Sequence, residues 1–169
     1  MSSTGASLAR GQSKQDYATP PDLMAAVTRR FGPINFDLAA HEQNKKHANF
    51  FSIADNSLVH EWHKIPGTLW LNPPFDNIGP WAKKCAEECE LGAQILFLVP
   101  ASVGANWFRD HVHGHALVLA LNGRIAFDPA NPKWGYPKDC MICAYGWSPG
   151  FDTWTWKTVP DAASDLEIE

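Results

Sequence analysis

The sequence contains no long hydrophobic run and no excess of positive charge. No window approaches the roughly 18–20 apolar residues that a membrane-spanning helix needs, so we expect no membrane segment. The 14 lysines and arginines are outnumbered by 18 aspartates and glutamates, which gives a net charge of −4 with neutral histidines. Because a protein that binds nucleic acid by charge alone is basic, these absences exclude a purely electrostatic nucleic-acid binder, but not a local basic patch.

Cysteine is scarce, with 4 in 169 residues, and the first residues carry no secretory signal. Residues 1–15 lack the apolar core of about 7–15 residues that a signal peptide needs, so we expect a cytoplasmic protein with reduced thiols. Cys85 and Cys89 share one face of a predicted helix, whereas Cys140 and Cys143, three apart in a predicted strand, point to opposite faces. A four-thiolate zinc site needs both pairs to converge. We therefore expect isolated buried thiols and no metal.

What the sequence does contain is an alternation of helix-like and strand-like segments that fits one domain. We assign residues 15–159 to this domain, with a flexible arm at 1–14 and an acidic tail at 160–169. Helices are predicted at 20–31, 80–91 and around 107–110, and strands at 34–39, 67–71, 94–99, 115–121, 125–127, 140–147 and 153–158.

This alternation predicts an α/β fold with a mostly parallel sheet. The turn residues at 148–152 predict that the last two strands form an antiparallel C-terminal hairpin. In such sheets, ligands bind outside the carboxyl ends of the strands. Asp37 and Asn72 each stand at such an end, so we expect the site there.

The turn Asn72-Pro73-Pro74-Phe75 is the sharpest motif in the sequence. Its prolines fix φ near about −65° and have no N–H, and Pro73 also restricts Asn72 to extended geometry. The turn is therefore stiff. The Asn72 side chain and carbonyl oxygens such as that of Pro73 offer acceptors, and Phe75 offers a flat apolar face. Together they suit a planar NH2 group attached to an aromatic ring.

Such a turn can activate an exocyclic amine without a nucleophilic side chain. Hydrogen bonds from both N–H groups favour a pyramidal nitrogen whose lone pair points outward, toward an electrophilic methyl group. The protein contributes positioning and acceptors matched to the charge that develops on the amine. A base in duplex DNA must be flipped out at a cost of about a few kcal/mol, and stacking on an aromatic ring returns about 1–3 kcal/mol.

With its flanking segments, this turn resembles the bacteriophage-type DNA N6-adenine methyltransferases over roughly residues 16–147. The matching segments, in order, are Asp16-Tyr17-Ala18-Thr19-Pro20-Pro21, Phe36-Asp37-Leu38-Ala39-Ala40, Asn44, Phe50-Phe51-Ser52, Asp55-Asn56-Ser57-Leu58, Trp62, Trp70-Leu71-Asn72-Pro73-Pro74-Phe75, Ile78-Gly79-Pro80-Trp81, Leu98-Val99-Pro100-Ala101, Trp107-Phe108 and Gly123-Arg124-Ile125-Ala126-Phe127. Each segment is weak alone, and the ordered set is strong.

The resemblance implies a Rossmann-like fold that binds S-adenosylmethionine and methylates N6 of a flipped adenine in double-stranded DNA. The implied cofactor contacts are Tyr17, Thr19 and Pro20 at the methionine end, Asp37 and Ala39 near its amino group, and Asp55 or Asn56 at its adenine. The implied holders of the target adenine are Asn72, Pro73, Pro74 and Phe75, with Arg124 on the DNA. We add Trp107 as a candidate base-stacking side chain, and Lys133, Lys14 and Lys138 as candidate phosphate contacts.

Two departures from the wider methyltransferase pattern leave alternatives open. Asp37 is followed by Ala39-Ala40-His41 rather than a glycine-rich turn, and the proline motif has Asn and Phe where many relatives have Asp and Tyr. One alternative is a methyltransferase for another planar nitrogen, such as cytosine N4, an RNA base or a glutamine side chain. Another is a non-catalytic DNA-binding or anti-restriction module of the same fold. A phage or prophage origin and a role in restriction-modification follow from the resemblance alone.

Overall fold

The computed structural model describes residues 18–127 and 136–157. Within them lie three α-helices: α1 (Pro21–Phe31), α2 (Gly79–Glu90) and α3 (Asn106–His111). The strands are β1 (Ile34–Asp37), β2 (Thr68–Leu71), β3 (Gln94–Pro100), β4 (Ala116–Leu121), β5 (Cys140–Tyr145) and β6 (Gly150–Trp154). Short 3₁₀ turns at Ile53–Asp55, Ser57–Val59 and Trp62–Lys64 fill the long connection from β1 to β2. None of the described helices is long and apolar enough to cross a membrane.

The six described strands form one sheet in the order β1-β2-β3-β5-β4-β6. Strands β1, β2 and β3 are parallel neighbours, and β4 is parallel to β6. Only β5, among the described strands, runs against both of its neighbours, β3 and β4. The expected α/β class with a mostly parallel sheet is therefore confirmed.

The predicted C-terminal hairpin is wrong, because β5 and β6 are not neighbours. All six residues of β5 are buried, whereas β6 is exposed at four of its five positions. A strand that is apolar on both faces is typical of the interior of a sheet covered on both sides, and β5 lies between β3 and β4. The exposed β6 takes the edge beside β4. The four residues at 146–149 carry the chain past the start of β4.

The strand predicted at 125–127 is also wrong, because these residues lie in a loop. Ile125 and Phe127 are buried in the core, and neither belongs to a strand. The carbonyl of Ile125 accepts a hydrogen bond from the backbone N–H of Tyr136 instead, at 2.6 Å. The apolar residues at 125–127 therefore indicate burial in the core and not a strand of the sheet.

Two hydrophobic layers cover the sheet, and α1 shows how the sequence builds one of them. Pro21 opens the helix at a position where its missing N–H is not needed. Leu23, Ala26 and Val27 recur on one helical face and pack on the sheet. Gly32, with φ of 86°, ends the helix in a conformation that suits glycine.

Helices α2 and α3 lie at the opposite face of the sheet. Cys143 of β5 belongs to that layer with Cys85, whereas Cys140 belongs to the α1 layer. The expectation that Cys140 and Cys143 point to opposite faces is confirmed, and all four cysteines are free thiols. Among the described residues, no group of three or more His, Cys, Asp or Glu side chains is arranged to hold a metal ion.

Candidate functional site

The proline turn separates two cavities at the carboxyl end of β2. Asn72 and Pro74 line a cavity of about 520 Å³ that also contains Asp37, and we call it the Asp37 cavity. Phe75 lines a second cavity of about 510 Å³, which we call the Phe75 cavity. Pro73 is buried between them and lines neither. Successive residues of one stiff turn therefore face two different spaces.

The Asp37 cavity lies where β1 and β2 end, as the strand pattern predicts. The chain returns along β1, since the backbone N–H of Asp37 donates to the carbonyl of Asn49 and that of Phe51 donates to the carbonyl of Asp37. The sequence-predicted residues that line this cavity are Thr19, Asp37, Ala39, Asn56, Asn72 and Pro74. Sequence reasoning did not assign roles to Lys46 and His41, which also line it and lie in a polar segment without periodic pattern.

Asp37 supplies a buried carboxylate to this cavity. Only 2% of the residue is exposed. Its oxygens accept hydrogen bonds from the backbone N–H groups of Ala39, at 3.2 Å, and Lys46, at 2.9 Å. Burial raises the pKa of Asp37 from 3.8 to about 6, and these two hydrogen bonds oppose the rise. The carboxylate is therefore held rigidly, in a place where a bound cation would favour its charged form.

Lys46 brings a positive group to the lining of the Asp37 cavity. Burial lowers the pKa of its ammonium group, and the charge of Asp37 opposes that change. Its ammonium group and the Asp37 carboxylate therefore influence each other inside one cavity. A ligand with both a carboxylate and an ammonium group would find a complementary charge for each.

Asp55 and Asn56 are adjacent in sequence, but only Asn56 lines the cavity. Asp55 is exposed, and its carboxylate accepts hydrogen bonds from the backbone N–H and the hydroxyl of Ser52, at 2.7 and 2.8 Å. Those bonds lower the pKa of Asp55 and close a capping box on the first 3₁₀ turn. Asn56 has a φ of 48°, the one positive value among the described residues other than glycine. Asn56, not Asp55, is thus placed to meet a ligand.

Thr19, which precedes α1, contacts the proline turn through a side-chain hydrogen bond. It is 2% exposed, and its hydroxyl oxygen accepts a hydrogen bond from Nδ2 of Asn72 at 2.9 Å. Pro20 caps α1 without lining the cavity. Tyr17, the remaining predicted cofactor contact, lies outside the described residues.

The Phe75 cavity is built from aromatic rings and exposed polar groups. The Phe75 ring meets that of Tyr136 edge-on, with centroids 5.7 Å apart, and that of Phe127 at 6.3 Å. Trp107, at the start of α3, lines the cavity as well, together with Lys138. Tyr136 was not identified from the sequence, because it stands alone in a loop and belongs to no periodic pattern.

The predicted DNA contacts occupy different positions. Trp107 and Lys138 line the Phe75 cavity. Arg124 is exposed and lines neither cavity, and its Nε lies 3.8 Å from a carboxylate oxygen of Asp139. Lys133 and Lys14 lie outside the described residues.

Comparison with known proteins places this arrangement in a family. The family model described as DNA N-6-adenine-methyltransferase (Dam) matches residues 6–139, which include the whole proline turn and all the residues that line the two cavities. The chain belongs to the DNA N-6-adenine-methyltransferase (Dam) family. The resemblance identified from the sequence is thereby confirmed.

Individual relatives of this Dam-family chain share between 27% and 31% of its residues over the aligned segments. The DNA N-6-adenine-methyltransferase of Escherichia phage T1 is 31% identical over 112 residues, which are 66% of this chain and 47% of the phage protein. The protein YfdM of Escherichia coli strain K12 is 30% identical over 69 residues, 38% of this chain and 71% of that protein. The DNA N-6-adenine-methyltransferase of Haemophilus phage HP1 is 27% identical over 120 residues, 69% of this chain and 68% of the phage protein. The chain thus spans about half the length of the phage T1 relative.

Proposed function

We propose that this chain transfers a methyl group from S-adenosylmethionine to N6 of an adenine flipped out of double-stranded DNA. The observation that carries the proposal is the proline turn itself, whose Asn72 and Pro74 face the Asp37 cavity while Phe75 faces the second cavity. Membership of the Dam family and the names of the phage relatives support the same reaction.

The Asp37 cavity fits the cofactor in size and in chemistry. Its volume of about 520 Å³ falls in the usual range for small-molecule sites, about 300–1,000 Å³. The buried Asp37 carboxylate suits the ammonium group at the methionine end, and Asn56 suits a polar edge of the adenine. The apolar walls include Phe51, Leu58 and Trp81. When bound, S-adenosylmethionine supplies an electrophilic methyl group.

The proline turn acts on the amine that accepts this methyl group. The side-chain oxygen of Asn72 accepts a hydrogen bond from one N–H group of the adenine amine, and a carbonyl oxygen of the turn accepts a hydrogen bond from the other. The nitrogen lone pair then points away from both acceptors. As the new N–C bond forms and the C–S bond breaks, positive charge develops on the amine, and one N–H proton leaves to solvent. Acceptors held in place before the reaction stabilise that charge without reorganisation.

The Phe75 cavity receives the flipped base. Phe75 lines this cavity with Trp107 and Tyr136, and the ring of Phe75 stacks on the planar base. Such stacking contributes about 1–3 kcal/mol per base, comparable with the few kcal/mol that flipping costs. The exposed amide and hydroxyl groups of Asn77, Ser102 and Asn106 along the cavity can hydrogen-bond the base or its sugar-phosphate.

Phosphate contacts complete the proposed DNA interface. Lys138 lines the Phe75 cavity, and the Arg124 side chain is 60% exposed. Contacts from these cations make DNA binding salt-dependent despite the net charge of −4. We place the reaction in the cytoplasm of a bacterial host cell, with the protein encoded by a phage or prophage.

The test is to incubate the chain with methyl-labelled S-adenosylmethionine and duplex DNA, RNA or a bacterial protein extract, and then to identify the modified atom by mass spectrometry. Label in N6-methyladenine supports the proposal. Label in N4-methylcytosine, RNA or glutamine identifies a different planar-nitrogen substrate and overturns it. Cofactor binding without any label indicates a non-catalytic module. The Asn72→Ala variant gives the background, and Asn122→Ala, which changes an exposed asparagine outside both cavities, is the matched control.

A further inference from the structure

A hydrogen bond joins the Asn72 amide to Thr19, and its nitrogen end faces the Thr19 hydroxyl. Nδ2 of Asn72 donates to Oγ1 of Thr19 at 2.9 Å, across 53 positions of sequence. Thr19 is 2% exposed, so water competes little for its hydroxyl oxygen. With the amide nitrogen directed at Thr19, the amide oxygen is the end that turns away from it.

This orientation matters because the two ends of an amide have opposite hydrogen-bonding character. The oxygen only accepts and the NH2 group only donates. An amide turned by 180° would present its NH2 group to the NH2 group of the substrate, so that two donors would face each other. An asparagine in this turn therefore works in only one of its two orientations, the one in which Nδ2 faces Thr19, whereas a carboxylate at the same position has two equivalent oxygens.

We propose that Thr19 is a positioning residue for the transfer, which holds the acceptor oxygen of Asn72 toward the substrate amine through its hydroxyl. This inference rests on the proposed function. It also separates two roles of Thr19, because the residue lines the Asp37 cavity as well. The hydroxyl acts on the amide, whereas the bulk of the side chain forms part of the cofactor wall.

Two substitutions divide these roles. Thr19→Val keeps the shape of the side chain and removes the hydroxyl, and Thr19→Ser keeps the hydroxyl and removes the methyl group. Thr155→Val is the matched control, because the hydroxyl of Thr155 accepts an equivalent bond from Nδ2 of Asn122 at 3.0 Å, at an exposed position outside both cavities. Thr19→Ala serves as a second hydroxyl-free variant if the valine variant does not fold.

The experiment measures kcat on duplex DNA and the Kd for S-adenosylmethionine for each variant. Loss of a neutral hydrogen bond of about 1.5 kcal/mol corresponds to about tenfold, so kcat of Thr19→Val falls about tenfold or more. Its Kd for the cofactor stays close to that of the wild type. Thr19→Ser and Thr155→Val keep nearly the wild-type kcat. A wild-type kcat for Thr19→Val, or an equal loss of kcat and cofactor affinity, overturns the positioning role.

A spectroscopic measurement separates this inference from the proposed function. In ¹⁵N-labelled protein, the side-chain NH2 signals of Asn72 are assigned by their disappearance in Asn72→Ala. In Thr19→Val these signals shift and exchange faster with water, while those of Asn122 do not change. Unchanged Asn72 signals overturn the inference whatever the activity. If the wild type methylates no DNA but the signals respond, the proposed function fails and the Thr19–Asn72 contact stands without a catalytic role, which also overturns the inference.

Discussion

The Asp37 cavity and the Phe75 cavity share the proline turn as a wall, yet they are built differently. Asp37 is buried, and its carboxylate and backbone are held by several backbone hydrogen bonds from the returning chain. The Phe75 cavity is bordered instead by exposed residues, among them Asp76, Asn77 and Lys138. One cavity is preorganised around a single buried charge, and the other is an aromatic patch with a polar rim.

This difference matches what each cavity must hold under the proposed function. A small charged cofactor gains from a rigid, desolvated partner, because electrostatic interactions strengthen in a site that excludes water. A base that arrives with its DNA gains from stacking and from a rim that can meet phosphates. Changes at the two cavities should therefore affect different measured quantities.

The largest effect is expected at the turn between the cavities. In Asn72→Ala the substrate amine loses an acceptor, and kcat falls by about 10²–10³, the usual cost of removing one preorganised hydrogen-bonding group at a reacting centre. The Kd for S-adenosylmethionine changes little, because Asn72 acts on the amine. Single-turnover kinetics and calorimetry with Asn122→Ala as the control measure the two quantities. Normal turnover in Asn72→Ala would refute the assigned role.

The second-largest effect is expected on cofactor affinity, from a substitution in the Asp37 cavity. Asp37→Asn removes a charged partner, and a charge-assisted hydrogen bond of about 1.5–3 kcal/mol corresponds to a loss of about 10–150-fold in cofactor affinity. At saturating cofactor, kcat changes much less. Isothermal titration with S-adenosylmethionine checks this. An equal effect on DNA affinity would show that the cavities are not separate.

The pH dependence of cofactor binding sharpens the same point. Asp37 has a pKa of about 6, so its ionised fraction rises as the pH rises from 5 to 7. Affinity for a ligand held by the ionised carboxylate therefore increases by about tenfold across that range. His41, which lines the cavity, and His47 and Lys46 nearby are unchanged in Asp37→Asn, so a flat profile in that variant assigns the dependence to Asp37. If Asp37→Asn kept the wild-type pH dependence of cofactor affinity, that dependence would belong to another group.

A comparable or smaller effect is expected from the Phe75 cavity. Phe75→Leu keeps an apolar side chain beside Tyr136 and Phe127 but removes the stacking face. Stacking of about 1–3 kcal/mol predicts a loss of about 5–150-fold in kcat/KM for DNA, with unchanged cofactor affinity. Phe151→Leu, at an exposed position on β6, is the matched control. If only cofactor affinity fell in Phe75→Leu, the assignment of the two cavities would be reversed.

The smallest effect is electrostatic. Lys138→Ala at the rim of the Phe75 cavity reduces the slope of log K against log salt for DNA binding by about 1, the value for one phosphate contact. Lys83→Ala, on the exposed side of α2, leaves the slope unchanged. Fluorescence titrations of a labelled duplex at several salt concentrations give both slopes. A slope unaltered in Lys138→Ala would remove this residue from the interface.

The local features of this protein can be predicted from its amino-acid sequence. Apolar runs marked β2, β3 and β5 as strands, and Pro21 with a helical apolar stripe marked α1. The stiffness of the turn from Asn72 to Phe75 follows from its two prolines, and its place after β2 follows from the run before it. These features depend on neighbouring residues, so periodicity and proline geometry suffice to predict them.

The contacts between residues distant in sequence become visible in the folded chain alone. It placed β5 between β3 and β4, set the Lys46 backbone on the Asp37 carboxylate, and brought Thr19 to Asn72. An apolar strand shows that it needs neighbours but not which ones, since any buried edge satisfies its backbone equally well. The division of one turn between two cavities depends on these long-range pairings, and local sequence patterns do not encode them.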